Sequence, residues 1–176
     1  MKTYKELLID TMTLLAKDKR TLFIGQSVLF PGHALYNTIK HLPEGKRIEM
    51  PVCEELQTGI CTGLALQGFI PVSIYPRMDF LICATNQIVN HLDKIEEMSS
   101  GEFKPKVIIR TAIGSNKPLM PGCQHNQDYT EALVKMLTNV DVVKLTNKEM
   151  IIPEYEKALK SKRSTILIEL PELYDK

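Results

Sequence analysis

The chain has 176 residues, 44% of them hydrophobic and 24% charged, with a net charge of +1 at neutral pH. That is the size and composition of one packed globular domain. A near-neutral balance with scattered Lys and Arg, and no aromatics between them, excludes nucleic acid or an acidic membrane held by bulk charge.

The first segment reads as a helix over 3–17, because Tyr4, Leu7, Leu8, Met12 and Leu15 recur at helical spacing. Glu6 and Asp10 interrupt its apolar residues, so it does not have the uninterrupted stretch of a signal peptide. Short β-rich runs then alternate with helical patterns. "TLFIG" ends in Gly25, "RIEM" follows the turn signal Pro43-Glu44-Gly45, "PVSIY" begins at Pro71 and "KVIIRT" follows Pro105. "VDVVKL" starts at Val140 and "STILIEL" ends before Pro171. Each is bounded by Gly, Pro or charge, as strands are. Helices are expected between them at 33–41, 53–67, 79–98, 127–138 and 149–161.

The alternation predicts an α/β fold of three layers, a mostly parallel sheet flanked by helices on both faces. It is expected as a single domain over residues 1–176. No run is long enough to span a membrane, and the expected location is cytoplasmic. The four cysteines, Cys53, Cys61, Cys83 and Cys123, form no Cys-x-x-Cys pair and do not have zinc-site spacing. They are expected as buried or partly buried free thiols in a reducing compartment.

Ligands of such sheets gather beyond the carboxyl ends of the strands. Three places there carry chemistry. Glu54 and Glu55 open the helix after the second strand, where acids also suit the positive end of the helix dipole. Gly59 and Gly63, four apart in that helix, predict close approach of another backbone, since glycine inside a helix costs roughly 1 kcal/mol relative to alanine. Met78-Asp79-Phe80 follows the third strand, where Phe80 also reads as an ordinary core aromatic. The loop 113–127, "IGSNKPLMPGCQHNQ", is long for a compact domain and carries His125 in a polar, hydrogen-bonding context. His33, His41 and His91 fall in helical patterns and are read as packing or solvated residues. No dinucleotide or phosphate-binding glycine loop, nucleophile elbow or His-x-x-x-His metal pair is present.

The order of these pieces carries a further reading. The Pro-x-x-Glu turn at Pro51–Glu54, Gly68-Phe69-x-Pro71, Met78-Asp79-Phe80, Gln87-Ile88-Val89-Asn90, Met98-Ser99-x-Gly101 and Gln124-His125-x-Gln127 occur in register. Over about Tyr4–Tyr174 this resembles the pyrimidine-binding domain of thiamine diphosphate enzymes. The nearest resemblance is to the beta subunits of pyruvate and branched-chain 2-oxoacid dehydrogenases.

The resemblance implies that Glu54 hydrogen-bonds a ring nitrogen of the cofactor's aminopyrimidine and shares a proton with it. It implies that Phe80, with Met78 beside it, packs on that ring, and that His125 serves the substrate. It implies a subunit acting on a 2-oxo acid by decarboxylation. The alternatives are a split decarboxylase or transketolase-type subunit without a lipoyl acceptor, or a non-catalytic regulatory subunit. The family's Gly-Asp-Gly motif for diphosphate and magnesium is not found in the chain, so no metal ligand is expected here. Thiamine diphosphate would be shared with a second subunit that holds the magnesium, in a homodimer or heterotetramer. The family's carboxyl-terminal domain is expected to be missing. The family's acids after the first strand are replaced by Gln26-Ser27, which bears on proton relay between sites.

Overall fold

A computed structural model of the chain describes residues 2–116 and 120–176. Its helices are α1 (Tyr4–Ala16), α2 (Glu54–Leu66), α3 (Met78–Leu81), α4 (Ile95–Met98), α5 (Thr130–Met136) and α6 (Ile151–Lys160). Its strands are β1 (Thr21–Gly25), β2 (Arg47–Glu49), β3 (Ile70–Tyr75), β4 (Ile108–Ala112), β5 (Val140–Lys144) and β6 (Ser164–Glu169). The strands form one sheet in the order β2-β1-β3-β4-β6-β5, and every pairing is parallel. The α/β expectation therefore holds, with each predicted strand within two residues of its place.

Apolar residues alternate between the two faces of the sheet. Phe23, Val72, Ile74 and Ile108 meet Leu8, Met12 and Leu15 of α1 and Ile151 and Tyr155 of α6. Ile24, Tyr75, Ile109 and Ile166 meet Cys61 and Ala65 of α2, Met78, Ile88 and Leu133. The chain runs from β1 outward to β2, then crosses to β3 on the other side of β1. That reversal opens a crevice between the carboxyl ends of β1 and β3, the usual ligand position in such sheets.

Two predicted helices differ in kind. At 33–41 the structure has a short 3-10 turn, Ala34–Thr38, with the His33 side chain accepting from the Tyr36 N–H. The segment expected as one helix over 79–98 is broken into α3, a 3-10 turn (Ile82–Ala84), a π-helix (Gln87–Leu92) and α4. The π turn widens the coil by one residue and delivers Asp93 to the start of β5. There the Asp93 carboxylate accepts the N–H groups of Thr138, Asn139 and Val140 at 2.9, 2.6 and 3.0 Å. Burial pushes the Asp93 pKa up, but the hydrogen bonds from Lys94, Asn139 and Thr138 outweigh it and hold the carboxyl below its ordinary value.

The cysteines depart in part from expectation. All four are free, but Cys53, Cys83 and Cys123 are exposed and only Cys61 is buried. Burial, partly offset by a hydrogen bond with Ser73, pushes the Cys61 thiol up to about 12. Among the described residues no helix is long and apolar enough to cross a membrane.

The sheet centre holds one fully buried ion pair. Arg110 of β4 bonds the Glu169 carboxylate of β6 through Nε and, at 2.9 Å, through Nη2. Tyr155 of α6 donates to Glu169 Oε1 at 2.7 Å, and Tyr174 donates to Oε2 at 2.6 Å. Burial, then the Glu169 charge, raises both phenol pKa values, so both remain donors. Removing one partner from a buried pair leaves an uncompensated charge. Glu169→Gln is expected to cost roughly 3–5 kcal/mol, and Tyr155→Phe, which removes one donor, about 1–3 kcal/mol. Urea unfolding followed by circular dichroism would measure both. Equal costs for the two variants would show that the charge pair is not the dominant contact.

Candidate functional site

The three predicted positions lie at the carboxyl edge of the sheet, each on the segment that follows a strand. Glu54 begins α2, after β2. Phe80 lies in α3, directly after β3, and His125 lies in the loop after β4.

The seat of α2 explains how Glu54 is held. Its inward face carries Gln57, Thr58, Cys61, Thr62 and Ala65. Gln57 Nε2 donates to Ser73 Oγ at 2.9 Å and to the Ile74 carbonyl at 3.1 Å, locking the first turn to β3. Thr58 Oγ1 lies 2.5 Å from the Tyr75 hydroxyl and donates to the Glu54 carbonyl at 2.9 Å. Glu54 itself is half-buried. Its charge reaches Tyr75, whose hydroxyl pKa is raised first by burial and, to a smaller extent, by Glu54. Among the described residues the Glu54 carboxylate has no hydrogen-bond or salt-bridge partner. Its neighbour differs, because the exposed Glu55 accepts from Asn86 Nδ2 at 2.8 Å.

The expectation for the two glycines is not met inside the chain. The added methyl of an alanine at Gly59 would sit 3.7 Å from the Gln87 side chain, and one at Gly63 would meet nothing within 4 Å. Among the described residues no backbone packs there. The outer face of α2 instead leaves Leu56 and Ile60 exposed, with Val52 just ahead of the helix.

The loop after β4 is fastened to α3. Its residues 117–119 lie outside the described residues. The His125 ring packs edge-on against Phe80, with centroids 5.3 Å apart and planes at 63°. The His125 carbonyl accepts from Arg77 Nη1 at 3.3 Å. Asp79 Oδ1 accepts from Gln127 Nε2 at 3.1 Å, and the Tyr129 N–H donates to Met78 Sδ at 3.3 Å. Met78 is fully buried. His125 Nδ1 and Asp79 Oδ2 are buried with no hydrogen-bond partner among the described residues.

Phe80 and His125 are thus in contact. Among the described residues no hydrogen bond, ion pair or ring contact joins either to Glu54. Sequence reasoning missed two residues. Arg77 holds the His125 carbonyl, and its only signal was its place after β3. Glu49, the last residue of β2, accepts the N–H groups of Ser27, Val28 and Leu29 at 2.5, 2.8 and 2.9 Å. A carboxylate thus stands beside the Gln26-Ser27 run, but it is occupied with shaping that loop. Gln26 contributes its carbonyl, which accepts from His33 Nε2 at 3.0 Å. Among the described residues no group of three or more His, Cys, Asp or Glu could hold a metal ion.

No protein-family model matches the chain. Curated relatives do. The pyruvate dehydrogenase E1 component subunit beta-3 of Arabidopsis thaliana chloroplasts is 30% identical over 128 residues, which is 73% of this chain and 31% of that protein. The chloroplastic subunit beta-4 of Oryza sativa subsp. japonica is 27% identical over 175 residues, 97% of this chain and 42% of that protein. The chain thus spans less than half the length of these relatives. Among solved structures, a split-gene transketolase described as an inactive beta4 tetramer superposes with a TM-score of 0.71 at 18% identity, covering 94% of this chain and 50% of that one. At that identity the likeness is one of fold. The chain is similar in sequence to E1 beta subunits and in fold to a transketolase-type chain, in line with the resemblance carried by its motifs.

Gly114 controls the seating of the His125 loop. A methyl group there would stand 1.7 Å from the His125 carbonyl oxygen and 2.9 Å from Arg77 Nη1. Gly114→Ala is therefore expected to expel the loop from α3 and to cost about 1–3 kcal/mol through overpacking. The sheet should persist by far-UV circular dichroism, while the His125 ring resonances move to solvent-exposed values. Unchanged His125 shifts would show that Gly114 does not govern the seat.

Proposed function

We propose that this chain, as one domain over residues 1–176, is the pyrimidine-binding, beta-type subunit of a two-chain thiamine diphosphate enzyme acting on a 2-oxo acid. The observation that carries the proposal is the half-buried Glu54 carboxylate without a partner among the described residues. It stands at a strand's carboxyl edge in a chain similar to E1 beta subunits. A carboxylate in such a position needs a partner, and a protonatable ring nitrogen is one. The residues present fit the pyrimidine half of the cofactor. Glu54 offers the acid, half-buried Phe80 offers an aromatic surface, and buried Met78 backs it.

The bound cofactor would supply a carbon nucleophile and an electron sink for decarboxylation. Glu54 would hold a proton against the pyrimidine nitrogen. Gln57, Thr58 and Tyr75 keep the first turn of α2 in place while it does so. Phe80 would orient the ring. His125, with Nδ1 buried and unsatisfied, would donate to or accept from the reacting substrate, positioned by Phe80 and by Arg77 on its carbonyl. The diphosphate and magnesium would be held by a second subunit, as the lack of a Gly-Asp-Gly motif suggests. The free thiols fit a reducing compartment such as the cytoplasm.

Glu54→Gln keeps a hydrogen bond but has no acid group that can share a proton with the pyrimidine nitrogen. In the chain assembled with its partner subunit, turnover is expected to fall roughly a hundredfold to ten-thousandfold. Glu55→Gln should leave the rate almost unchanged, since among the described residues Glu55 bonds only Asn86, and it complements the helix dipole. The check is deuterium exchange at the reactive thiazolium carbon by NMR. Wild-type exchange in the Glu54→Gln assembly would overturn the assignment.

The open face of α2 supports self-association, in a homodimer or within a heterotetramer. Leu56, Ile60 and the bare Gly63 would let a second helix approach. Among the described residues a Cβ at Gly63 meets nothing within 4 Å, so Gly63→Leu should fold normally and perturb only that contact. Light scattering is expected to report a smaller assembly for this variant. An unchanged assembly would place the contact elsewhere.

A further inference from the structure

A cavity of about 330 Å³ opens at the carboxyl edge, on the α1 and α6 side of the sheet and away from α2. Glu54, Phe80 and His125 do not line it. Its walls include Lys5, His33, Arg77 and Tyr174, with exposed Asp175 the one acid among the described lining residues.

The charges here are unbalanced. Arg77 is half-buried, and among the described residues its one hydrogen bond is the 3.3 Å donation to the neutral His125 carbonyl. Lys5 is half-buried as well. Neither has a carboxylate partner among the described residues. Behind the wall lies Arg110, whose Nη1 is buried without a hydrogen-bond partner among the described residues. It sits on β4 two residues before Ala112, which lines the cavity, and so on the same face. Glu169 neutralises Arg110, but Tyr155 and Tyr174 also satisfy that carboxylate, so Glu169 has little left to offer the cavity.

His33 acts as a wall and a probe of this field. Its Nδ1 accepts from the Tyr36 N–H, so Nε2 carries the proton and donates to Gln26, leaving no nitrogen for a ligand. Burial first, and then the charges of Arg110 and Arg77, hold it below its ordinary pKa against the Gln26 bond and Glu49. A neutral imidazole adds no charge of its own to the cavity, beside which Arg77 and Lys5 have no carboxylate partner among the described residues.

Arg77 is also fixed in place. The absence of a side chain at Gly114 lets the guanidinium approach the loop, and the His125 carbonyl anchors one of its nitrogens. The other donors remain in a fixed planar fork, the geometry that matches carboxylate or phosphate oxygens. The volume is at the small end for organic ligands.

The geometry points to a second ligand site: this cavity binds a small organic oxyanion, a carboxylate or a phosphate ester, with Arg77 as its ion-pair partner and Lys5 at its rim. The site stands apart from the cofactor reading, since it needs neither Glu54 nor a partner chain. The test is calorimetric titration of the full chain at low salt with inorganic phosphate and, separately, with oxalate. Saturable binding is expected for at least one. Arg77→Gln should weaken it by about tenfold or more, and Lys5→Gln, which leaves the His125 loop untouched, by a smaller factor. Tighter phosphate binding identifies a phosphate ester as the ligand class, and tighter oxalate binding identifies a carboxylic acid. No saturable binding of either anion, or unchanged affinity in either variant, overturns the site.

Discussion

The ion pair between Arg110 and Glu169 is the constraint on which the carboxyl edge depends. It joins β4 and β6, two interior strands, at full burial. Burying two charges is costly unless the remaining lone pairs are satisfied. Tyr155 and Tyr174 meet that condition, and in doing so they fasten α6 and the chain's last turn to the sheet. Tyr174 in turn accepts the Lys5 N–H on its carbonyl and stacks on Tyr4, whose hydroxyl donates to the Leu145 carbonyl after β5. One polar cluster thus fixes two strands, α6, the chain's last turn and the start of α1. The edge from which the functional loops leave is rigid because of it.

The loops at that edge are held by similar means, with carboxylates accepting backbone N–H groups or amides. Glu49 shapes the turn after β1 and Asp79 reaches Gln127 to bring the His125 loop onto α3, while at the opposite edge of the sheet Asp93 ties the π turn to the start of β5. Each replaces part of a regular hydrogen-bond ladder with a charge-assisted contact, which is stronger than a neutral one. The result is a set of irregular segments with specified positions. That suits a site that must present side chains from three separate strands.

The sheet was legible because its strands are short, rich in Val and Ile, and punctuated by Gly and Pro. The broken helix over 79–98 was not. Its residues have helical spacing throughout, and the π turn depends on Asp93 finding the N–H groups of residues more than forty positions away. The 3-10 turn at Ala34–Thr38 depends likewise on a His33 side chain acting as a cap, where spacing suggested only packing. In the site, Glu54, Phe80 and His125 could be singled out by their place after strands and by the motif order. Arg77 and Arg110 could not, since nothing local distinguishes a paired arginine from a free one. Gly59 and Gly63 were legible as unusual, but the sequence does not say whether the approaching backbone belongs to the same chain.

What separates Glu54 from the other acids is occupancy. Glu169, Asp93 and Glu49 are as deeply placed or deeper, and each is filled by donors: an arginine and two phenols, three backbone amides with Lys94, and three backbone amides. Each of those acids does structural work that removes it from chemistry. Glu54 has a comparable setting, at a helix start locked by Gln57 and Thr58, yet no donor from the described chain reaches its carboxylate. Glu169, Asp93 and Glu49 are fully supplied with donors, and among the described residues none is given to Glu54. On the proposed reading, the half-buried acid left open beside the β1–β3 crevice is the position where an external donor would complete the structure, and a pyrimidine nitrogen would be a donor of the right kind once it carries the shared proton.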